Sequence, residues 1–207
     1  MWRITDISDT VRRLFLPAGK AIAKTGLTPN NLTLIGFMVN VGVAWVLSTG
    51  RFLIGGALVI LAGVFDLLDG ALARSTGRST TFGALLDSVM DRYSEAVILF
   101  GLLIYFAYQG ATTEIILIFA TIIGSLLVSY VKARAEGLGL DCEVGIMRRT
   151  MRLLVLALGL MLSAVADQAL LVTLWVLAIF TNTTAAHRLY FVWRLTRSQP
   201  PTQPPPE

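Results

Sequence analysis

The sequence is poor in the residue types that build disulfides, zinc sites and soluble surfaces. Its 207 residues include one cysteine, Cys142, and one histidine, which excludes an internal disulfide and leaves no ligand set for zinc. Only 14% of the residues are charged, whereas 55% are hydrophobic and the mean hydropathy is +0.72, outside the usual range of soluble domains. The N-terminal stretch is mixed and basic, so no secretory signal peptide is expected. This composition predicts a membrane protein.

Six apolar segments predict an all-α, polytopic membrane protein with six transmembrane helices. Before them, charged and apolar positions alternate at helical spacing over residues 4–24, which predicts an amphipathic helix lying in the membrane interface. We therefore expect a juxtamembrane segment (1–31), a six-helix membrane domain that carries the active site (32–197) and a disordered proline-rich tail (198–207). The apolar segments are residues 32–49, 52–72, 88–108, 112–131, 153–166 and 169–187.

The distribution of cations predicts how the chain is oriented. If the N-terminus is cytoplasmic and the chain crosses six times, Arg51 alone of the 17 lysines and arginines falls on the far side. Both termini and the acidic residues described next are therefore expected on the cytoplasmic side of a cell membrane. The net charge of +4 then reflects topology and contact with anionic membrane lipids, and nucleic-acid binding is not expected.

Residues 66–91 place four carboxylates beside strongly apolar sequence, where each would cost about 2.5–3.5 kcal/mol at a helix centre unless something compensates it. Their spacing is helical, so the acids fall on one stripe of each of two consecutive helices. Small residues on the same stripes leave room for a ligand close to the backbone. The first stripe contains Asp66, Asp69, Gly70, Ala73 and Arg74, and the second contains Gly83, Asp87, Asp91 and Glu95.

Oxygen ligands without histidine or cysteine favour hard cations, so the acidic residues predict a site for Mg²⁺ or Mn²⁺. Two such ions roughly 3.5–4 Å apart are the usual arrangement for displacement at phosphorus, and the planar guanidinium of Arg74 suits a phosphate oxygen. The structural alternative is a set of interhelical salt bridges. A cation transporter is the alternative from another functional class, although its acids would be expected near the middle of the membrane on broken helices.

Two further polar regions lie at the same end of the predicted bundle. Lys132, Arg149 and Arg152 stand where apolar helices end or begin, and Arg149 and Arg152 share a helix face, so they predict either an anion site or ordinary cytoplasmic cations. Residues 28–33 either simply start the first span, with Thr28 as the cap and Pro29 in the first turn, or also line the active cavity. His187 is expected to be an interfacial polar residue.

The acidic stretch resembles the signature of the CDP-alcohol phosphotransferase family, Asp-x2-Asp-Gly-x2-Ala-Arg-x8-Gly-x3-Asp-x3-Asp, at every fixed position. The resemblance implies metal-dependent transfer of a phosphate-containing group from a CDP-linked donor, here CDP-diacylglycerol, to an alcohol, with release of CMP. It implies that Asp66, Asp69, Asp87 and Asp91 hold two metal ions, and that Asp91 is also the catalytic base. The CDP site is predicted to comprise Asp66, Asp69, Gly70, Ala73, Arg74, Gly83 and Thr33.

Residues 86–96 and 129–136 resemble the prokaryotic members of this family that use inositol 1-phosphate as the acceptor. That resemblance implies a homodimer. It also implies an acceptor-phosphate site at Lys132, Arg149 and Arg188, to which the helix face shared with Arg149 adds Arg152 as a predicted ligand. Around residues 147–152 the chain departs from the pattern, because Arg148 and Met151 stand where acids are usual beside the arginines. Glycerol 3-phosphate, which would make the protein a phosphatidylglycerophosphate synthase, therefore remains the alternative acceptor.

Overall fold

The structure, a computed structural model, describes residues 28–76 and 80–197, and the side chains of residues 65–76 fall outside that description. The described chain forms six helices, which confirms the predicted all-α fold. The predicted interfacial helix (4–24) and the proline-rich tail (198–207) lie outside the described residues. The helices are α1 (Pro29–Ser48), α2 (Phe52–Thr76), α3 (Thr81–Tyr108), α4 (Thr112–Gly137), α5 (Arg149–Leu162) and α6 (Ala169–Thr196).

Each predicted apolar segment becomes a helix, but several helices extend beyond the apolar residues into polar sequence. α3 begins at Thr81 rather than near residue 88. α1 and α3 start on threonine caps: Thr28 accepts a hydrogen bond from the Asn31 amide at 3.3 Å, and Thr80 accepts one from the Gly83 amide at 2.9 Å. Hydropathy misses these turns because they are polar.

Three helices are long and apolar enough to cross a membrane: α1, α4 and α6. The apolar part of α2, Phe52–Val64, is shorter. In the described chain, α5 has only 14 residues, and α3 carries its acids in the N-terminal half. Length and composition therefore support a membrane protein, whereas the predicted count of six spans remains a prediction.

The six helices pack in a ring in the order α1, α2, α5, α6, α4 and α3, so each helix has two main neighbours. The apolar core lies toward one end of this ring. It is built from the last turns of α1, α3 and α5 and the first turns of α4 and α6, with fully buried side chains such as Leu47, Leu102, Ile118, Leu160 and Leu174. The opposite end holds the polar starts of α1, α3 and α5, and it is there that the candidate site lies.

Because α1 and α3 pack closely, one methyl group added at their contact should measurably change the free energy of unfolding. A Cβ added at Gly101 would lie 2.7 Å from the Cα of Ala44, whereas one added at Gly42 has nothing within 4 Å. We expect Gly101→Ala to destabilise the protein by about 1–3 kcal/mol through overpacking. Gly42→Ala is expected to be neutral or to stabilise the helix by roughly 0.5–1 kcal/mol. Thermal unfolding in detergent measures both, and equal effects would contradict this close packing.

Candidate active site

The N-terminal half of α3 presents three carboxylates one turn apart, and they are buried progressively more deeply along the helix. Asp87 is exposed, Asp91 is partly buried, and Glu95 retains 6% of its surface. Because successive positions four residues apart lie on one face, the three acids run along α3 from the open end of the ring into the bundle. The predicted stripe of acids on this helix is therefore present.

The other predicted acids belong to the last part of α2. The helix continues through positions 66–74, so Asp66 and Asp69 stand one turn apart on it, as predicted. Their side chains and that of Arg74 fall outside the description. Within the described side chains, no group of three or more histidine, cysteine, aspartate or glutamate residues forms a metal site. The predicted four-carboxylate metal site therefore stays a prediction that rests on α2 and α3 together.

Gly83 lies where the first turns of α1 and α3 meet. A Cβ at this position would lie 3.0 Å from Asn30 Oδ1 and 3.0 Å from Thr80 Oγ1, so alanine here would require both side chains to shift. Thr33, also predicted to bind CDP, lies one turn further along α1 and donates its hydroxyl to the Pro29 carbonyl at 3.1 Å. Asn30 was missed by sequence reasoning beyond its place in the polar segment that precedes the first span.

A cationic cavity of about 180 Å³ opens beside Asp91. All four residues predicted to bind the acceptor phosphate line it, and two further arginines and one acid join them. Arg92 and Arg148 were not assigned to the site from sequence, although each is adjacent in the chain to an assigned residue. The charged residues of the wall are Arg92, Lys132, Glu143, Arg148, Arg149, Arg152 and Arg188. This wall carries six cations and one acid, a balance of charge that favours an anion.

An ion pair joins the two predicted parts of the site. Arg149 Nη1 lies 2.7 Å from Asp91 Oδ1, with about a quarter of each side chain still exposed. Arg92 Nη1 approaches the other carboxylate oxygen of Asp91 at 3.9 Å. The predicted base and a predicted phosphate ligand are thus in direct contact, at the boundary between the acidic stripe and the cationic cavity.

Arg152 is occupied differently from the other predicted phosphate ligands. Its Nε and Nη2 donate to the two oxygens of Glu95 at 2.5 and 2.6 Å, and its Nη1 donates to the Met147 carbonyl at 2.8 Å. All three nitrogens therefore bond to protein groups. Arg152 and Glu95 retain only 3% and 6% of their surface, so the pair is buried in the wall of the cavity.

Arg188 supports the loop of residues 138–148 that closes one side of the cavity. Its Nε donates to the Val144 carbonyl at 2.8 Å and its Nη1 to the Val128 carbonyl at 2.7 Å, which joins the loop to α4. Lys132 contacts the same loop through Glu143, with its Nζ 3.4 Å from a carboxylate oxygen. The wall of the cationic cavity is therefore assembled from α4, α5, α6 and this loop.

Substitution of Gly145 tests whether the position of the loop 138–148 affects the KM for the acceptor. Its φ is +104°, and an added Cβ would lie 2.5 Å from Thr184 Cγ2 on α6. Gly139, in the same loop, has a φ of +76° and nothing within 4 Å of an added Cβ. Alanine costs about 1–2 kcal/mol in this backbone region at either position, but only Gly145→Ala also pushes the loop away from α6. We expect a raised acceptor KM for Gly145→Ala and a wild-type value for Gly139→Ala; identical values would contradict this account.

The fold and the site together define an α-helical membrane protein in which a stripe of acids adjoins a cavity lined mainly by cations. Residues 26–192 match the family described as CDP-alcohol phosphatidyltransferase. The chain belongs to this family and is therefore a transferase, as the signature predicted.

Two kinds of relatives support the assignment. A phosphatidylinositol phosphate synthase of Mycobacteroides abscessus is 35% identical over 188 residues, which cover 89% of this chain and 86% of the relative. An archaetidylinositol phosphate synthase of Pyrococcus horikoshii is 33% identical, over 90% of this chain and 95% of the relative. With these relatives, the apolar helices identify a prokaryotic membrane protein.

Solved structures agree with the fold. The phosphatidylinositol phosphate synthase of Mycobacterium tuberculosis with CDP-DAG bound superposes with a TM-score of 0.83 at 34% identity, covering 87% of this chain and 94% of the other. The same enzyme in complex with manganese and citrate gives a TM-score of 0.81 at 33% identity, covering 86% and 88%.

Proposed function

We propose that this enzyme transfers the phosphatidyl group of CDP-diacylglycerol to inositol 1-phosphate, with release of CMP and formation of phosphatidylinositol phosphate. The observation that carries the proposal is the ion pair between Asp91 and Arg149 at the edge of the cationic cavity. If Asp91 is the base for the acceptor hydroxyl and Arg149 a ligand for its phosphate, the two groups are adjacent, as a phosphorylated alcohol requires. The relatives that carry the name of this activity support the same acceptor.

The donor is assigned to the ends of α2, α3 and α1. Gly70, Ala73 and Gly83 keep the backbones of α2 and α3 accessible to the pyrophosphate, and Arg74 binds a phosphate oxygen with its planar guanidinium. Thr33 and the signature aspartates complete the CDP site. The tight approach of Gly83 to Asn30 supports this assignment, because the start of α1 then forms one wall of the same cleft. The acyl chains of the donor remain in the membrane.

Asp66, Asp69, Asp87 and Asp91 would hold two divalent cations, Mg²⁺ or Mn²⁺. The donor set fits these ions because it consists of carboxylate oxygens, without sulfur or imidazole, on helix positions one turn apart. When bound, such ions neutralise the charge of the pyrophosphate and of the leaving CMP. The manganese complex of the M. tuberculosis relative supports this choice of cation.

The residues of the chain divide the reaction between them. Lys132 and Arg149 bind the acceptor phosphate and direct its hydroxyl toward the lipid-side phosphorus of the donor. Asp91 accepts the hydroxyl proton as the oxygen attacks. A new phosphorus–oxygen bond to the acceptor forms, the bond from that phosphorus to the CMP oxygen breaks, and CMP leaves with the electron pair. Arg74 stabilises the negative charge that develops on the pyrophosphate.

The orientation in the membrane follows from the positions of the cations. We place the open end of the ring, both termini and the active site on the cytoplasmic side, because among the described residues Arg51 is the one lysine or arginine at the opposite end. With six spans, CDP-diacylglycerol enters sideways from the membrane and the polar acceptor enters from the cytoplasm. Labelling of cysteines introduced at Arg51 and at Arg194 by a membrane-impermeant reagent tests the orientation, and reaction of Arg194→Cys from outside would reverse it.

We also propose a homodimer, in line with the family resemblance. Native mass spectrometry of the protein released from detergent or nanodiscs at low concentration measures the state directly. A mass of one chain under conditions that preserve activity would contradict the proposal.

Release of CMP from CDP-diacylglycerol, measured with Mg²⁺ or Mn²⁺ against a panel of acceptors, tests the function. We expect inositol 1-phosphate to be used, serine and unphosphorylated inositol to be rejected, and a chelator to abolish turnover. Faster release with glycerol 3-phosphate would reassign the enzyme as a phosphatidylglycerophosphate synthase. Absence of release with every acceptor, together with metal uptake by proteoliposomes, would favour the transporter alternative.

A further inference from the structure

The third carboxylate of the α3 stripe, Glu95, has no role in the reaction as described. It is nonetheless the most deeply buried of the three, and both of its oxygens bond to Arg152. Burying two charges requires strong compensation, and an apolar pair of similar volume would often stabilise a bundle at least as well. The paired charges at this position therefore call for an explanation beyond stability.

The contacts of Arg152 supply an explanation for the buried pair. α5 begins at Arg149 without a side-chain cap, so its first turn lacks the local hydrogen bond that fixes α1 and α3. Arg152 holds this start in another way: it donates to Glu95 on α3 and to the Met147 carbonyl in the chain that enters α5. The start of α5 is thus tied to α3 by a buried side chain, in addition to the partly exposed pair of Arg149 and Asp91.

Two ion pairs consequently run in register between α3 and α5. Asp91 and Glu95 are four residues apart on α3, and Arg149 and Arg152 are three apart on α5, so each acid meets one arginine. The deeper pair is buried and bidentate, whereas the outer pair is partly exposed beside the cavity. The deeper pair therefore fixes the distance between the first turn of α5 and α3, which Arg149 must span to reach Asp91.

We propose that Glu95 is a positioning residue. By holding Arg152, it sets the first turn of α5 so that Arg149 reaches both Asp91 and the phosphate of the acceptor. This role rests on the proposed function only in that the acceptor carries a phosphate. Glu95 touches neither substrate, and its effect on the reaction passes entirely through Arg149.

The first test compares Glu95→Gln and Arg152→Lys with a structural control. Asn182→Ala removes another interhelical contact, the bond from Asn182 Nδ2 to the Ala120 carbonyl at 3.0 Å, away from the cavity. Both site variants are expected to raise the KM for inositol 1-phosphate about tenfold and leave the KM for CDP-diacylglycerol unchanged, since a small displacement of a binding group is costly. Asn182→Ala is expected to lower the Tm and leave both KM values unchanged. Arg152→Lys retains the buried charge and covers the case in which Glu95→Gln fails to fold.

Each other outcome overturns the proposal. If Glu95→Gln lowers the acceptor KM, Arg152 is itself a phosphate ligand that Glu95 competes for. If Glu95→Gln and Arg152→Lys change only the Tm, as Asn182→Ala does, the pair is structural alone.

The second test asks whether the effect passes through Arg149. In an Arg149→Ala background, Glu95→Gln should add nothing to the acceptor KM, because the group that it positions is gone; additive effects would show an independent role. The wild-type enzyme separates this proposal from the assignment of the acceptor. If it prefers glycerol 3-phosphate, the acceptor was misassigned and the same variants are compared with that substrate. If the wild-type enzyme is active and Glu95→Gln has the wild-type KM for the acceptor, the positioning role is wrong and the proposed function is unaffected.

Discussion

Asp91→Asn is expected to lower the release of CMP from CDP-diacylglycerol by about 10³-fold or more. A general base contributes roughly 10²–10⁴-fold, and the same substitution weakens a proposed metal ligand. The amide keeps the shape of the carboxylate and still accepts a hydrogen bond from Arg149, so the Tm in detergent should stay within a few degrees of wild type. The measurement is single-turnover CMP release at saturating acceptor and metal.

Asp167→Asn is the matched control for that experiment. It makes the same chemical change in an exposed residue of the connection between α5 and α6, at the other end of the ring. Its turnover should equal that of the wild type. Near-normal turnover of the Asp91 variant would remove this residue as the base, whatever its contribution to the metal site.

Arg149→Ala is expected to raise the KM for inositol 1-phosphate by about ten- to hundredfold. A hydrogen bond to a charged group contributes roughly 1.5–3 kcal/mol, and about 1.4 kcal/mol corresponds to a factor of ten. The KM for CDP-diacylglycerol should change far less, because the donor is assigned to the other side of Asp91. Lys132→Ala should act in the same direction but more weakly, since Lys132 also contacts Glu136 and Glu143.

The control for the arginine experiment is Arg194→Ala, which removes an exposed cation from the same end of the ring without touching the cavity. It separates the loss of a specific ligand from a general change in surface potential. Equal increases in both KM values for Arg149→Ala would sink the assignment of this residue to the acceptor.

The helices could be predicted from the sequence because each contains a long apolar stretch, and that pattern is local. Their polar ends could not be bounded in the same way. α3 starts at Thr81 because Thr80 caps it, well before its sequence becomes apolar, and α6 continues to Thr196 through a polar stretch. Hydropathy indicates which segments suit the lipid core of a membrane. The polar helix ends lie outside that core, where other groups, including water, satisfy their polar atoms.

The site shows a similar division. The spacing of Asp87, Asp91 and Glu95 predicts a shared face, and the structure has it. Which arginine each acid meets depends on how α5 packs against α3, more than fifty positions away in the chain, and spacing carries no such information. Arg152 was accordingly predicted to bind phosphate directly, whereas its nitrogens bond to Glu95 and Met147.

The role of Arg188 was hidden for the same reason. It was predicted as a phosphate ligand because it matches an arginine of the members that use inositol 1-phosphate, and in the structure two of its nitrogens bond to backbone carbonyls of α4 and of the loop 138–148. A carbonyl partner leaves no signature in side-chain sequence. Gly145, one of two glycines with positive φ in that loop, was a visible signal of a constrained turn, and it lies against the same helix.

The placement of the leucine-rich core away from the polar end bears on how such enzymes diversify. Substitutions in the cavity wall leave the contacts among Leu47, Leu102 and Leu160 intact. Most of the stability that allows the protein to tolerate such substitutions therefore comes from a region away from the cavity. Substitutions in α4, α5 and the loop that joins them should therefore change the shape and charge of the cavity with little loss of stability.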